Sequence, residues 1–167
     1  MSSKEQIIKT LNLLPHPEGG YYRETYRSDG VIGNENLDAS FEGTRNYSTC
    51  IYFLLTSESF SAFHKINQDE GWHFYKGSPI DLHIITKEGE HKHISIGSAI
   101  EEGQVPQYIV KAGDYFAAQV SEPDSYALVG CTVAPGFDFR DFKMPPAEEL
   151  IDLFPVHASL IQKFSRH

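Results

Sequence analysis

The stretch Phe63-His64-Lys65-Ile66-Asn67-Gln68-Asp69-Glu70-Gly71-Trp72-His73-Phe74-Tyr75-Lys76-Gly77 decides how this chain is read. An apolar run from Ser59 to Phe63 leads into it, His64 stands six residues before Glu70, and Gly77-Ser78-Pro79 turns the chain at its end. Side chains alternate faces along a strand, so His64 shares a face with Ile66, and Glu70 with Trp72 and Phe74. Two strands joined by a short polar loop bring the imidazole and the carboxylate inward together, in an aromatic surround. Such a surround raises a carboxyl pKa and lowers that of a histidine, which tunes an acid–base pair toward neutral pH. The same two groups are also metal-ligand types, or a buried pair that satisfies itself. On the residues alone these readings stay open.

Working outward, the flanking sequence reads as further strands. Ser2-Ser3-Lys4-Glu5 has the form of a capping box, and Ile7, Ile8, Leu11 and Leu14 recur at helical spacing, so residues 1–15 are read as a helix packed by one face. The turn His16-Pro17-Glu18-Gly19-Gly20 enters a strand from Tyr21 to Arg27, in which Arg23 in a pocket would suit a phosphate or carboxylate. Ser28 to Gly43 is a polar surface loop. Short strands are expected over Asn46–Leu55, Pro79–Thr86, His91–Ile96, Gln107–Val110, Tyr115–Val120 and Tyr126–Val133. Regular short strands without intervening helices indicate a β-sandwich or barrel occupying 16–143, and Pro145-Pro146 opens a helical tail over 144–167. One domain is expected across 1–167.

Composition narrows the functions. A formal net charge of −9 argues against nucleic-acid or anionic-membrane partners. No N-terminal apolar segment resembles a signal peptide, and Cys50 and Cys131 sit in apolar strands as buried free thiols, so a reduced, cytoplasmic protein is expected. His16 and His83 read as structural, His91-Lys92-His93 as a solvated pair, and His73 as facing away from Glu70.

The central stretch resembles the first motif of the cupin superfamily, a His-x-His pair followed by a Glu and then a Gly. His64, Glu70 and Gly77 match it, but Ile66 occupies the second His position, and Phe116 stands where the second motif places its fourth ligand. The chain is more widely similar to one branch, the cupin_5 (DUF985) family. That likeness runs through His16–Ser28, Ile51–Leu55, His64–Gly77 and Leu128–Phe139, with Asp114-Tyr115-Phe116 as a local departure. The resemblance implies an all-β, cupin-type jelly roll, commonly dimeric and related to sugar-nucleotide epimerases. It implies a metal-free mechanism in which a His base removes a proton next to a keto group and a Tyr returns one. His64 and Glu70 are then the catalytic candidates, the acid being Tyr21, Tyr52 or Tyr115. Tyr21, Arg23, Tyr52, Trp72, Phe74 and Phe116 are the candidate substrate contacts. No cofactor and no metal is expected; a bound metal would draw on His64 and Glu70. The partners expected are a small polar ligand in the barrel and a second copy of the chain. Three functions follow: an epimerase or isomerase, a non-catalytic binding module, or a metal-dependent enzyme with an unexpected third ligand.

Overall fold

The computed structural model describes residues 2–166. Helix α1 (Ser3–Thr10) is closed at its start by the expected capping box, the Ser2 side chain accepting from the Glu5 backbone and Glu5 accepting from the Ser2 N–H. None of its residues is fully buried. Leu14, expected on its packed face, lies beyond the helix and is 65% exposed, while Leu13 is the residue that goes inside. The strands follow the apolar and aromatic runs: β1 (Leu14–Pro15), β2 (Tyr21–Arg27), β3 (Val31–Ile32), β4 (Arg45–Asn46), β5 (Thr49–Thr56), β6 (Phe60–His64), β7 (Asp69–Gly77), β8 (Ile80–Ile85), β9 (His91–Ile96), β10 (Gln107–Val110), β11 (Tyr115–Val120) and β12 (Tyr126–Ala134). The region expected as a plain loop, Ser28 to Gly43, holds β3, which pairs with β4 just beyond it. Two short helices, α2 (Ala147–Leu153) and α3 (Ala158–Lys163), form the tail.

Antiparallel pairing builds a six-stranded sheet, β1-β2-β5-β12-β7-β10, facing a four-stranded sheet, β6-β11-β8-β9. This is the jelly-roll sandwich, and its two sheets do not close into one barrel. Alternation sends Phe53, Leu55, Trp72, Val129 and Cys131 from the large sheet against Leu82, Ile84, Phe116 and Ala118 from the small one. The outer side of the small sheet is equally apolar, at Phe63, Ile85, Tyr115 and Ala117, and the tail covers it with Leu150, Ile161 and Phe164. Among the described residues no helix is long and apolar enough to cross a membrane.

Candidate functional site

One end of the sandwich is left unfilled, as a cavity of about 590 Å³ between the sheets. Its floor is set by the turn His16–Gly20, in which His16 N–H bonds Gly20 O (3.0 Å) and Gly19 N–H bonds His16 O (3.0 Å). Gly19 and Gly20 adopt φ of +113° and +74°, and a Cβ on Gly19 would run into the Phe60 carbonyl, so the turn sits hard against β5 and β6 because it lacks side chains there. Ala62 N–H donates to Glu18 O (2.9 Å), which fixes the turn on β6 and aims the Glu18 side chain inward.

The result is a contact between residues 46 positions apart in sequence: Glu18 Oε2 lies 2.6 Å from His64 Nε2, both side chains under a tenth exposed. His64 Nδ1 donates to Ala62 O (2.7 Å), because a carbonyl only accepts, so both ring nitrogens are engaged. Burial alone would push the Glu18 carboxyl up and the His64 imidazole down. Their mutual charge and hydrogen bond outweigh it, holding Glu18 below the usual carboxylate range and His64 above the usual histidine range. The pair is a carboxylate and an imidazolium. Phe116 and Phe142 flank the ring, with centroids at 4.2 and 5.2 Å.

Glu70 occupies the same cavity in the opposite state. Burial, then the neighbouring Glu18 charge, push its carboxyl up to about 7, against the weaker pull of His64 and a hydrogen bond from Trp72 Nε1 (3.3 Å). That bond uses one oxygen of Glu70; the other has no protein partner among the described residues, yet is not sealed off, so it opens to the cavity. Two carboxylates whose pKa values are driven apart in one cavity are the arrangement in which one group sets charge and the other carries a proton.

The walls are Ile51, Phe53, Ile66, Trp72, Cys131 and Val133, and burial pushes the Cys131 thiol well up. Phe137, Phe139 and Phe142 close over the mouth from a strap after β12. The strap is pinned by Asp141, which accepts from Arg45 Nη2 (2.7 Å) and Nε (2.8 Å) and from Gln68 Nε2 (2.8 Å), with Arg45 and Asp141 both 2% exposed. Arg23, Glu24, Arg27 and Asp138 stand at the rim. Arg27 is bidentate on Glu24, whereas Arg23 donates only to Leu11 O (3.2 Å) and enters no ion pair among the described residues.

Of the residues singled out from sequence, His64, Glu70, Arg23 and Trp72 come together at the cavity. The expected partnership of His64 with Glu70 is replaced by that of His64 with Glu18. Tyr21 is not a wall residue; its neighbour Tyr22 is, because Tyr22 pairs with the inward-facing Phe53 while Tyr21 pairs with Leu54 on the other parity. Tyr52 lies on the outer face of the large sheet against Tyr75 (centroids 6.3 Å), since Ile51 and Phe53 take the inward positions. Phe74 faces inward but packs into the core rather than the cavity. Tyr115 lies in the cluster under the tail. Phe116 is 1% exposed and backs the His64 ring from behind the cavity surface. His73 faces out, 2.9 Å from Thr132 Oγ1. Sequence reasoning missed Glu18, His16 and the strap aromatics; the signal available was a Glu placed directly before Gly-Gly in a turn.

A metal finds no matching donor set here. Ile66 and Phe116 fill two of the four positions that the fold family uses, both nitrogens of His64 are taken, and among the described residues no three His, Cys, Asp or Glu side chains are grouped as ligands.

These features define a cupin whose cavity holds a buried carboxylate–imidazole pair and a second carboxyl. The family described as Cupin superfamily (DUF985) matches residues 5–145, and the chain belongs to it. It is 33% identical over 157 residues to the uncharacterized protein YML079W of Saccharomyces cerevisiae, covering 89% of this chain and 78% of that one. A hypothetical protein from Leishmania major superposes with a TM-score of 0.90 at 35% identity, over 99% of this chain and 100% of that one. Oxalate decarboxylase from Bacillus subtilis, at 14% identity and a TM-score of 0.54 over 90% of this chain and 36% of its own, shares the fold alone.

Proposed function

We propose that this protein binds a small polar molecule in the cavity and moves a proton on it, as an epimerase or isomerase does. The observation that carries the reading is the carboxyl of Glu70, held near 7 beside the Glu18–His64 ion pair. At neutral pH such a group gives and takes protons with nearly equal ease. His64 is not the base in this reading, because its nitrogens face Glu18 and Ala62; it holds Glu18 ionised, and Glu18 in turn raises Glu70. Arg23, at the rim with no ion pair among the described residues, supports a ligand with a carboxylate or phosphate, and the aromatic walls support a body with apolar faces. The molecule is proposed to work as a homodimer of one-domain chains.

The test is solvent exchange. Small keto acids and keto sugars, with and without phosphate, are incubated with the protein in D2O and followed by NMR. Deuterium should enter next to a carbonyl, and Glu70→Gln should abolish this while leaving ligand-induced thermal stabilisation in place. A ligand bound tightly with no exchange by the wild type would sink the enzyme reading and favour a binding module.

A further inference from the structure

His16, read from sequence as structural, has the chemistry of a second reacting group. Its side chain is only 7% exposed and is caged by Tyr22, Phe53, Phe139 and Phe142, with ring centroids 4.6, 6.1, 6.0 and 5.9 Å away. All four rings line the cavity. The Glu18 backbone N–H donates to His16 Nδ1 (3.2 Å), and a nitrogen that accepts carries no proton, so the ring proton sits on Nε2. Burial, then the nearby His64 charge, lower the His16 pKa against the pull of Glu18, so the ring stays neutral at pH 7. Nε2 has no hydrogen-bond partner among the described residues, yet it is not sealed from solvent-sized space. His16 lines the cavity, and with Nδ1 occupied by the Glu18 N–H, Nε2–H is the one donor the imidazole has left to offer a ligand there.

We infer that His16 is the donor that holds a ligand carbonyl oxygen, its Nε2–H bonding the oxygen on which charge develops as Glu70 removes the neighbouring C–H proton. This rests on the proton-transfer reading above. In the step, the Glu70 carboxylate takes the proton, the C–H electron pair forms the carbon–carbon double bond, and the carbonyl π pair moves onto oxygen as an enolate. Return of the proton from Glu70, on the same or a neighbouring carbon, regenerates the carboxylate. A neutral imidazole suits this role, because it stabilises the enolate oxygen by a hydrogen bond without handing over a proton and stopping the reaction at the enol. The ligand class is therefore a ketone or aldehyde with an ionisable α C–H, and an anionic group spaced to reach Arg23.

Two measurements test this. In protein labelled with 15N histidine, His16 should show Nε2 protonated and Nδ1 bare at pH 7. Titration of His16 near 6.5, or a proton on Nδ1, would overturn the assignment. The second uses dihydroxyacetone phosphate as probe in D2O. Replacing His16 by Gln should slow α-proton exchange by about 100-fold while changing probe affinity less than about threefold, the loss expected for a single oxyanion donor. Exchange at the wild-type rate in His16→Gln would overturn the role of His16 and leave that of Glu70 standing. No exchange in the wild type would instead sink the proton-transfer reading. In that case a shift of the His16 Nε2–H signal on adding the probe supports the donor assignment, and an unmoved signal overturns it.

Discussion

Between pH 4.5 and 7 the folded chain keeps a proton on Glu70 that an unfolded chain has already released. A carboxyl whose folded pKa is raised contributes stability at low pH that is lost as pH rises toward the folded value, about 3 kcal/mol over this window. Glu70→Gln removes the titration, so its urea unfolding should lose that slope and exceed the wild type by about 3 kcal/mol at pH 8, while nearly matching it at pH 4.5. A wild-type slope unchanged in the variant would contradict the assignment. The Glu18–His64 pair has the opposite linkage at each end. His64, raised, loses its contribution as pH climbs through its folded pKa; Glu18, lowered, loses its own as pH falls through its folded pKa. His64 and Glu70 were legible because an alternating strand fixes which side chains point inward. Glu18 was not, because its position depends on how the Gly19–Gly20 turn seats against a strand some 40 residues further along the chain.

Elements rather than single residues shape the mouth. The strap bearing Phe137, Phe139 and Phe142 has few apolar anchors of its own, and Phe139 is 49% exposed. What holds it is the buried Arg45–Asp141 pair with Gln68. Asp141→Ala leaves the Arg45 guanidinium buried without its counter-charge, which costs about 3–5 kcal/mol. It should also make residues 136–143 the first site of limited proteolysis. Arg140→Ala, at the exposed pair with Asp138, should change stability by less than about 0.5 kcal/mol. Equal effects would show that the buried pair is not the anchor. Strand positions were readable from period-two runs, but the faces of Tyr21 and Tyr52 depended on how β2 pairs with β5 and on which parity of β5 turns inward, and neither is written in local sequence.

At the scale of the molecule, the two faces of the sandwich are treated differently. The tail covers the small sheet with Leu150, Ile161 and Phe164, so that face is complete. The outer face of the large sheet carries Tyr26, Tyr75 and Ile109 at 53%, 54% and 39% exposure, with Tyr52 packed beside Tyr75. A homodimer through this face would cover them. Light scattering should give twice the chain mass, and Tyr75→Arg should give the monomer with an unchanged circular dichroism spectrum; a monomeric wild type would contradict this. The β-rich body and its helical tail were legible because strand and helix periods differ along the chain, and the jelly-roll type was legible only through the resemblance carried by His64, Glu70 and Gly77. The open sandwich was not, since closure depends on pairing between strands far apart in sequence.

The measurement that bears most directly on the central claim is a 13C NMR titration of the Glu70 carboxyl, assigned by comparison with Glu70→Gln. A midpoint near 7 is predicted, with the Glu18 carboxyl still ionised well below it. A Glu70 midpoint near the ordinary 4.5 would mean that the cavity holds two carboxylates at neutral pH and has no group poised to carry a proton.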